Sequence, residues 1–279
     1  MAKLFRCKLD VCVCPANPTL ETAELFDEDY RESNTSPVDE FLIRLKPINK
    51  LAPQLNNFDP YQGQLVLLGV IAAVESYFRT LFRRLIEVDE ICQETVHQQD
   101  ISYGAAIHLS KEMLPEAILE RITFISRRNI VGAMKDLLAT KGNLPPELEV
   151  ALDDFVRVCQ LRHCAVHRFG KLGVRNATVL GLTDHSSLLE KPLKLNYAAL
   201  QSTIAISTGL VKTINNYLFN EMLSRLPPQR WTGVYQTDKD QFGVYYKLFA
   251  DKVSQKKTPP AYLFYRDFWR QRRIFEEEG

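Results

Sequence analysis

An all-α bundle is the fold class that the sequence predicts, and three observations predict it. Residues 61–88 carry large apolar side chains at alternating steps of three and four, among them Leu68, Ile71, Phe78 and Phe82. After Pro145-Pro146, Leu148, Leu152, Phe155, Cys159, Val166 and Phe169 recur at helical spacing, the stripe of an amphipathic helix facing a core. A third long helix is expected from about Asn196, an N-cap residue type, to Leu226, where Pro227-Pro228 ends it. Its Ser, Thr and Ala residues permit close packing within a bundle.

The length of 279 residues suits one large domain with appendages. Lys and Arg number 35 against 34 Asp and Glu, so no global field draws the chain to nucleic acid or membrane, and any such surface must be local. No uninterrupted apolar run reaches the roughly 20 residues of a membrane span, and no leader peptide is evident at the start, so a cytoplasmic protein without a membrane partner is expected. The six cysteines are scattered and read as reduced thiols, with Cys7, Cys12 and Cys14 as buried thiols in a strand-like stretch.

Three regions follow from the pattern: an irregular N-terminal arm over 1–57, a helical domain over 58–227 and a helical C-terminal extension over 228–279. In the arm, residues 4–9 alternate weakly like a strand, residues 41–45 form a second strand candidate, and loop-type segments lie between the two. Shorter helices are expected around 92–99, 102–109, 115–124 and 127–138, with Pro115 in a first turn. Residues 170–192, punctuated by Gly173 and Gly181, read as irregular. The tail interleaves aromatics with cations, and Arg266, Arg270 and Arg273 fall on one face of a short helix. Such a face can bind RNA through phosphates and stacking; the alternative is that the aromatics dock the tail on the bundle while the charges stay solvated.

Two charges interrupt otherwise apolar stripes. Arg162 sits where a Leu is expected, and an unpaired guanidinium there needs an anionic partner or an opening to solvent. Glu75 occupies a core position of the 61–88 helix and needs a cation. The economical inference is that the two helices pack and that Glu75 meets Arg162 in an ion pair. His167 lies about 140° further around the helix at about 100° per residue, within reach of a long Arg side chain. A permanent cation beside a group that titrates near neutrality suits phosphate chemistry.

Arg162, His163 and His167 in this setting resemble the motif of the HEPN superfamily (higher eukaryotes and prokaryotes nucleotide-binding), an all-α bundle marked by an Arg, four to six intervening residues and a His, often with a polar residue directly after the Arg. The resemblance covers roughly residues 60–226 and includes Glu75 on the facing helix. It implies a metal-independent endoribonuclease without a cofactor, in which the ribose 2′-hydroxyl attacks the adjacent phosphate and leaves a 2′,3′-cyclic phosphate and a 5′-hydroxyl. It implies that His167 is the general acid or base, that Arg162 stabilises charge on the phosphoryl oxygens while tied to Glu75, and that His163 supports them. Arg168, next to the motif, joins Arg266, Arg270 and Arg273 as an RNA-binding candidate. Family members build the cleft from two protomers, so a homodimer through the motif face is implied, as is a toxin or antiphage role with an antitoxin-like regulatory partner. One departure is Phe169, where some toxin members carry a Tyr that a partner enzyme nucleotidylates; that mode of neutralisation is not expected.

Two rivals stand beside this reading. One is a non-catalytic HEPN-like module that binds a protein or nucleotide and keeps Arg162 only as a structural ion pair. The other is a zinc site on Cys159, His163 and His167, which repeat at i, i+4 and i+8 but lack a nearby fourth ligand.

Overall fold

Helix starts in this chain are fixed by short polar side chains. Ser36, Ser102, Ser126 and Asn196 each accept a hydrogen bond from the backbone N–H three residues on, and Asp59 and Asp89 cap two further helices. The computed structural model describes residues 4, 7, 9–13, 15–16, 18–254 and 259–278. Among these it contains eleven α-helices and no strand, so the all-α class holds. The helices are α1 (Pro37–Lys50), α2 (Pro60–Val88), α3 (Glu90–Val96), α4 (Tyr103–His108), α5 (Leu114–Leu119), α6 (Arg127–Leu138), α7 (Pro146–Arg168), α8 (Val174–His185), α9 (Tyr197–Ser224), α10 (Tyr235–Phe249) and α11 (Ala261–Glu278).

Two units divide the chain, Met1–Asn34 and Thr35–Gly279. In the first, the described residues form one 3-10 turn, Thr22–Leu25, and expose Leu20, Leu25 and Phe26. Of the strand expected over residues 4–9, the described residues belong to no regular element, and positions 5, 6 and 8 lie outside them. Cys7 and Cys12 are exposed rather than buried, and Cys14 lies outside the described residues.

In the second unit α2 is the central element, packed against α1, α9, α7 and the shorter helices. By length and composition α2 could cross a membrane, but 61% of its most apolar window is taken up by packing inside the bundle. The strand expected over residues 41–45 is instead the middle of α1: Ser36 caps it, Pro37 fits its first turn, and Val38, Phe41 and Leu45 are buried at helical spacing. Residues 170–192 are not wholly irregular either. Gly173 stands at the N-cap of α8, and Gly181, at φ 106°, kinks that helix without ending it.

The tail docks. Trp231, Phe242, Tyr245, Phe249 and Tyr265 are buried, and the rings of Trp231, Phe242, Phe249 and Tyr265 meet edge-on or tilted against Phe219 of α9 or one another. Asp238 anchors this layer, accepting hydrogen bonds from Thr232 and Gly233 N–H, the Thr232 hydroxyl and the Tyr265 hydroxyl.

Candidate functional site

The site is the place where the core stripe of α7 loses its cover. Leu148, Leu152, Phe155 and Cys159 are fully buried against α2 and α9. One turn later Arg162 is half-buried, Val166 is 45% exposed and Phe169 is 79% exposed. The strip that faces the core at the start of the helix thus faces solvent at its end, carrying the motif with it. The helix stops at Phe169, whose backbone is left-handed at φ 49°, and Gly170 at φ 88° returns its N–H to the Cys164 carbonyl. Gly is the ordinary residue for a left-handed cap; a Phe there costs about 1 kcal/mol of backbone strain. Its ring lies tilted against Tyr61 of α2 at a centroid distance of 5.8 Å.

His163 and His167 occupy one face of this last stretch, with ring centroids 5.8 Å apart and planes within 23°. His167 is exposed and His163 half-buried. Partial burial, and then the charges of Arg162, His167 and Arg175, hold the His163 imidazole below the ordinary histidine range. His163 therefore stays neutral further into acid than a free imidazole does.

The ion pair expected between Glu75 and Arg162 is not formed. Glu75 Oε1 accepts a hydrogen bond of 3.1 Å from the backbone N–H of Phe124. Phe124 is driven into the core, stacked on Phe78 at 4.9 Å and 13°, and this brings a backbone donor over α2 that the carboxylate satisfies. Arg162 makes no ion pair or hydrogen bond among the described residues. Both charges still act on Cys159, whose thiol is pushed far up by burial and by Glu75, with Arg162 opposing. Of the two resolutions open to a guanidinium on an apolar stripe, α7 takes the opening to solvent.

The remaining candidates are dispersed. Arg168 pairs with Glu190 across the loop after α7. Arg266, Arg270 and Arg273 line the outer face of α11, each exposed and facing a carboxylate: Asp267 at 3.4 and 3.9 Å for the first two, Glu277 at 2.9 Å for the third. Pairs this exposed contribute little to stability and can be exchanged for another anion. No group of three or more His, Cys, Asp or Glu placed to hold a metal occurs among the described residues, so Cys159, His163 and His167 do not assemble a zinc site.

One cation near the motif had no signature in the sequence reading. Arg175, exposed in the first turn of α8, lies on a segment expected to be irregular. A helix start after Gly173 is the signal that would have found it. A separate cleft of about 620 Å³ runs between α9 and α11, lined by Phe219, Leu223, Phe264, Phe268 and Phe275, and none of the motif residues lines it.

Comparison with protein-family models, with curated proteins and with solved structures finds no match to this chain.

Proposed function

We propose that the chain is a metal-independent endoribonuclease of the HEPN type whose active surface is the uncovered end of α7. The observation that carries this reading is an unpartnered guanidinium and an open imidazole at the same uncovered end of α7: Arg162 has no hydrogen-bond or ion-pair partner among the described residues, and His167 is exposed. An arginine kept half-buried without an internal anion is poised for an external one, and a phosphate offers the matching pair of oxygens. The non-catalytic reading that keeps Arg162 as a structural ion pair loses its support for the same reason.

On this proposal the 2′-hydroxyl oxygen of a ribose attacks the neighbouring phosphorus while its proton passes to a base. The bond from phosphorus to the 5′ oxygen breaks, and that oxygen takes a proton. His167 serves as base or acid in this exchange, a role typically worth about 10²–10⁴-fold in rate. Arg162 binds the phosphoryl oxygens as their charge grows. The neutral form of His163 supports them by hydrogen bonding. Glu75 has no orienting role in this scheme, being held by Phe124. The exposed apolar residues Val166, Phe169, Tyr61 and Leu65 flank the motif and favour a second copy of the chain on the same face, giving a composite cleft. A toxin or antiphage role, restrained by an antitoxin-like protein, belongs to this same reading, as does an auxiliary RNA contact through Arg168, Arg266, Arg270 and Arg273.

The test is cleavage of a mixed-sequence RNA by the purified chain. Wild type is expected to sediment as a dimer and to leave 2′,3′-cyclic phosphate ends. His167→Ala is expected to lose cleavage by at least about a hundredfold with unchanged circular dichroism. Equal activity in His167→Ala removes the nuclease reading, and a monomer mass removes the composite cleft.

A further inference from the structure

The first turn of α8 brings another cation to the motif face. Asn176 Nδ2 donates to Gln160 Oε1 across 3.0 Å, which pins that turn to α7. Gln160, His163 and His167 are spaced by three and four residues, so they form one strip of α7. Arg175, adjacent to Asn176 in α8, therefore stands beside the histidine strip. The opposite flank of the stripe carries Arg162, so the two histidines lie between two guanidinium groups.

Several arginines of the bundle are tied down. Arg79 meets Glu116, Arg84 meets Glu40, Arg127 meets Glu149 and Arg225 meets Asp89. Arg175 and Arg162, like Arg121, Arg128 and Arg157, have neither a hydrogen bond nor an ion pair among the described residues, but these two alone act on His163. Like charges gathered on one face repel each other, and an incoming polyanion relieves that repulsion. The influence of Arg175 on this face is felt at His163, whose pKa it helps to lower.

We propose that Arg175 is a substrate-binding residue of the α7 site, holding an RNA phosphate that neighbours the one at Arg162 and His167. The assignment rests on the ribonuclease reading and extends it: the strand runs across α7 from Arg162, over the histidines, to the first turn of α8. A guanidinium on each side fixes two successive phosphates and so sets the register of the cut.

The test reads binding separately from cleavage. The full-length His167→Ala chain is titrated against a fluorescein-labelled, single-stranded mixed-sequence RNA by fluorescence anisotropy at several salt concentrations. Adding Arg175→Gln is expected to weaken binding several-fold and to make the slope of log K against log salt shallower by about 0.7, one phosphate contact on a single strand. Arg175→Lys is expected to restore the slope but not the full affinity, because an ammonium cannot bind bidentately. Arg121→Gln, an exposed arginine lining the groove with Gly132 and Asp136, is expected to change neither quantity. Unchanged affinity and slope in Arg175→Gln, with wild type still cutting RNA, overturns the assignment and leaves the nuclease reading standing. An equal loss in Arg121→Gln also overturns it, as a general charge effect. A wild-type chain that neither binds nor cuts RNA fails the nuclease reading itself, and the assignment falls with it at the parent, before any change at Arg175.

Discussion

Arg225 and Arg162 both place a guanidinium at the edge of the core, and the bundle treats them in opposite ways. Arg225, at the end of α9, is bound to the Asp89 carboxylate and the Leu138 carbonyl, and it also reaches the Cys92 thiol. Asp89 is 1% exposed and accepts in addition from the Tyr245 hydroxyl at 2.7 Å and the Cys92 N–H at 2.9 Å. That junction joins α2, α3, α9 and α10 at one carboxylate. Burial first, and then the Asp89 charge, push the Cys92 thiol up to about 12, so it takes no part as a thiolate at neutral pH. Among the described residues Arg162 has none of this: it pairs with no carboxylate and no carbonyl, and the end of α7 around it is open to solvent. A buried charge paired with a carboxylate belongs to the architecture, whereas an unpaired one at an open face is available to a ligand.

The comparison predicts opposite effects on stability and function. Asp89→Ala leaves a buried guanidinium uncompensated and is expected to cost about 3–5 kcal/mol in urea unfolding. Arg162→Ala is expected to stay within about 0.5 kcal/mol of wild type, because it removes no internal partner. A loss of several kcal/mol in Arg162→Ala would place that residue in the architecture and remove the distinction.

A second saturated carboxylate sharpens the contrast through pH. Burial pushes Asp238 up, but the hydrogen bonds from Tyr265, Thr232 and Gly233 outweigh it and hold the carboxyl below its ordinary value of 3.8. The sign follows from linkage: a lowered carboxyl pKa contributes stability that is complete above the unfolded value and is lost as pH falls through the folded one. Asp238→Ala, which leaves these donors without their acceptor, is expected to cost about 1–3 kcal/mol at neutral pH. The deficit should shrink between about pH 4 and the acid limb below it, read by urea midpoints at each pH. A deficit independent of pH would show that the carboxylate form is not what the tail layer is built on.

What was legible in the sequence follows the same division. Long amphipathic helices and their caps left clear marks: α2 and α6 begin and end within a residue of the pattern, because Asp59 and Ser126 are capping residues and the apolar spacing is strict. Residues 41–45 misled because Phe-Leu-Ile-Arg-Leu reads as strand chemistry locally, while the cap at Ser36 and the core against α2 make it a helix. Gly173 and Gly181 misled in the other direction, being a cap and a kink of α8 rather than loop punctuation. The motif stripe on α7 was visible, but the partner of Glu75 was not. A backbone N–H such as that of Phe124 leaves no trace in residue identity, so a carboxylate on an apolar stripe pointed to the nearest cation instead. Exposure of the last turns of α7 was equally invisible, since Val166 and Phe169 look like core residues in a periodic pattern.

Phe169 gives the smallest expected effect. Among the fully buried aromatics, Phe124 and Phe155 are held by close packing, and replacing either with Gly is expected to destabilise by several kcal/mol. Phe169 is 79% exposed, touches the Tyr61 ring at its edge of the bundle, and carries a left-handed backbone that Gly adopts without strain. Relief of that strain is worth about 1 kcal/mol, and loss of an exposed ring contact together with the larger unfolded-state entropy of Gly offsets about as much. Phe169→Gly is therefore expected to stay within about 0.5 kcal/mol of wild type in urea unfolding while lowering RNA cleavage or dimer mass. On the proposed reading the ring of Phe169 belongs to the face that a second copy covers. If Phe169→Gly instead destabilises by 2 kcal/mol or more, roughly the scale of a buried side chain, then the end of α7 is packed like its beginning and the site is not open.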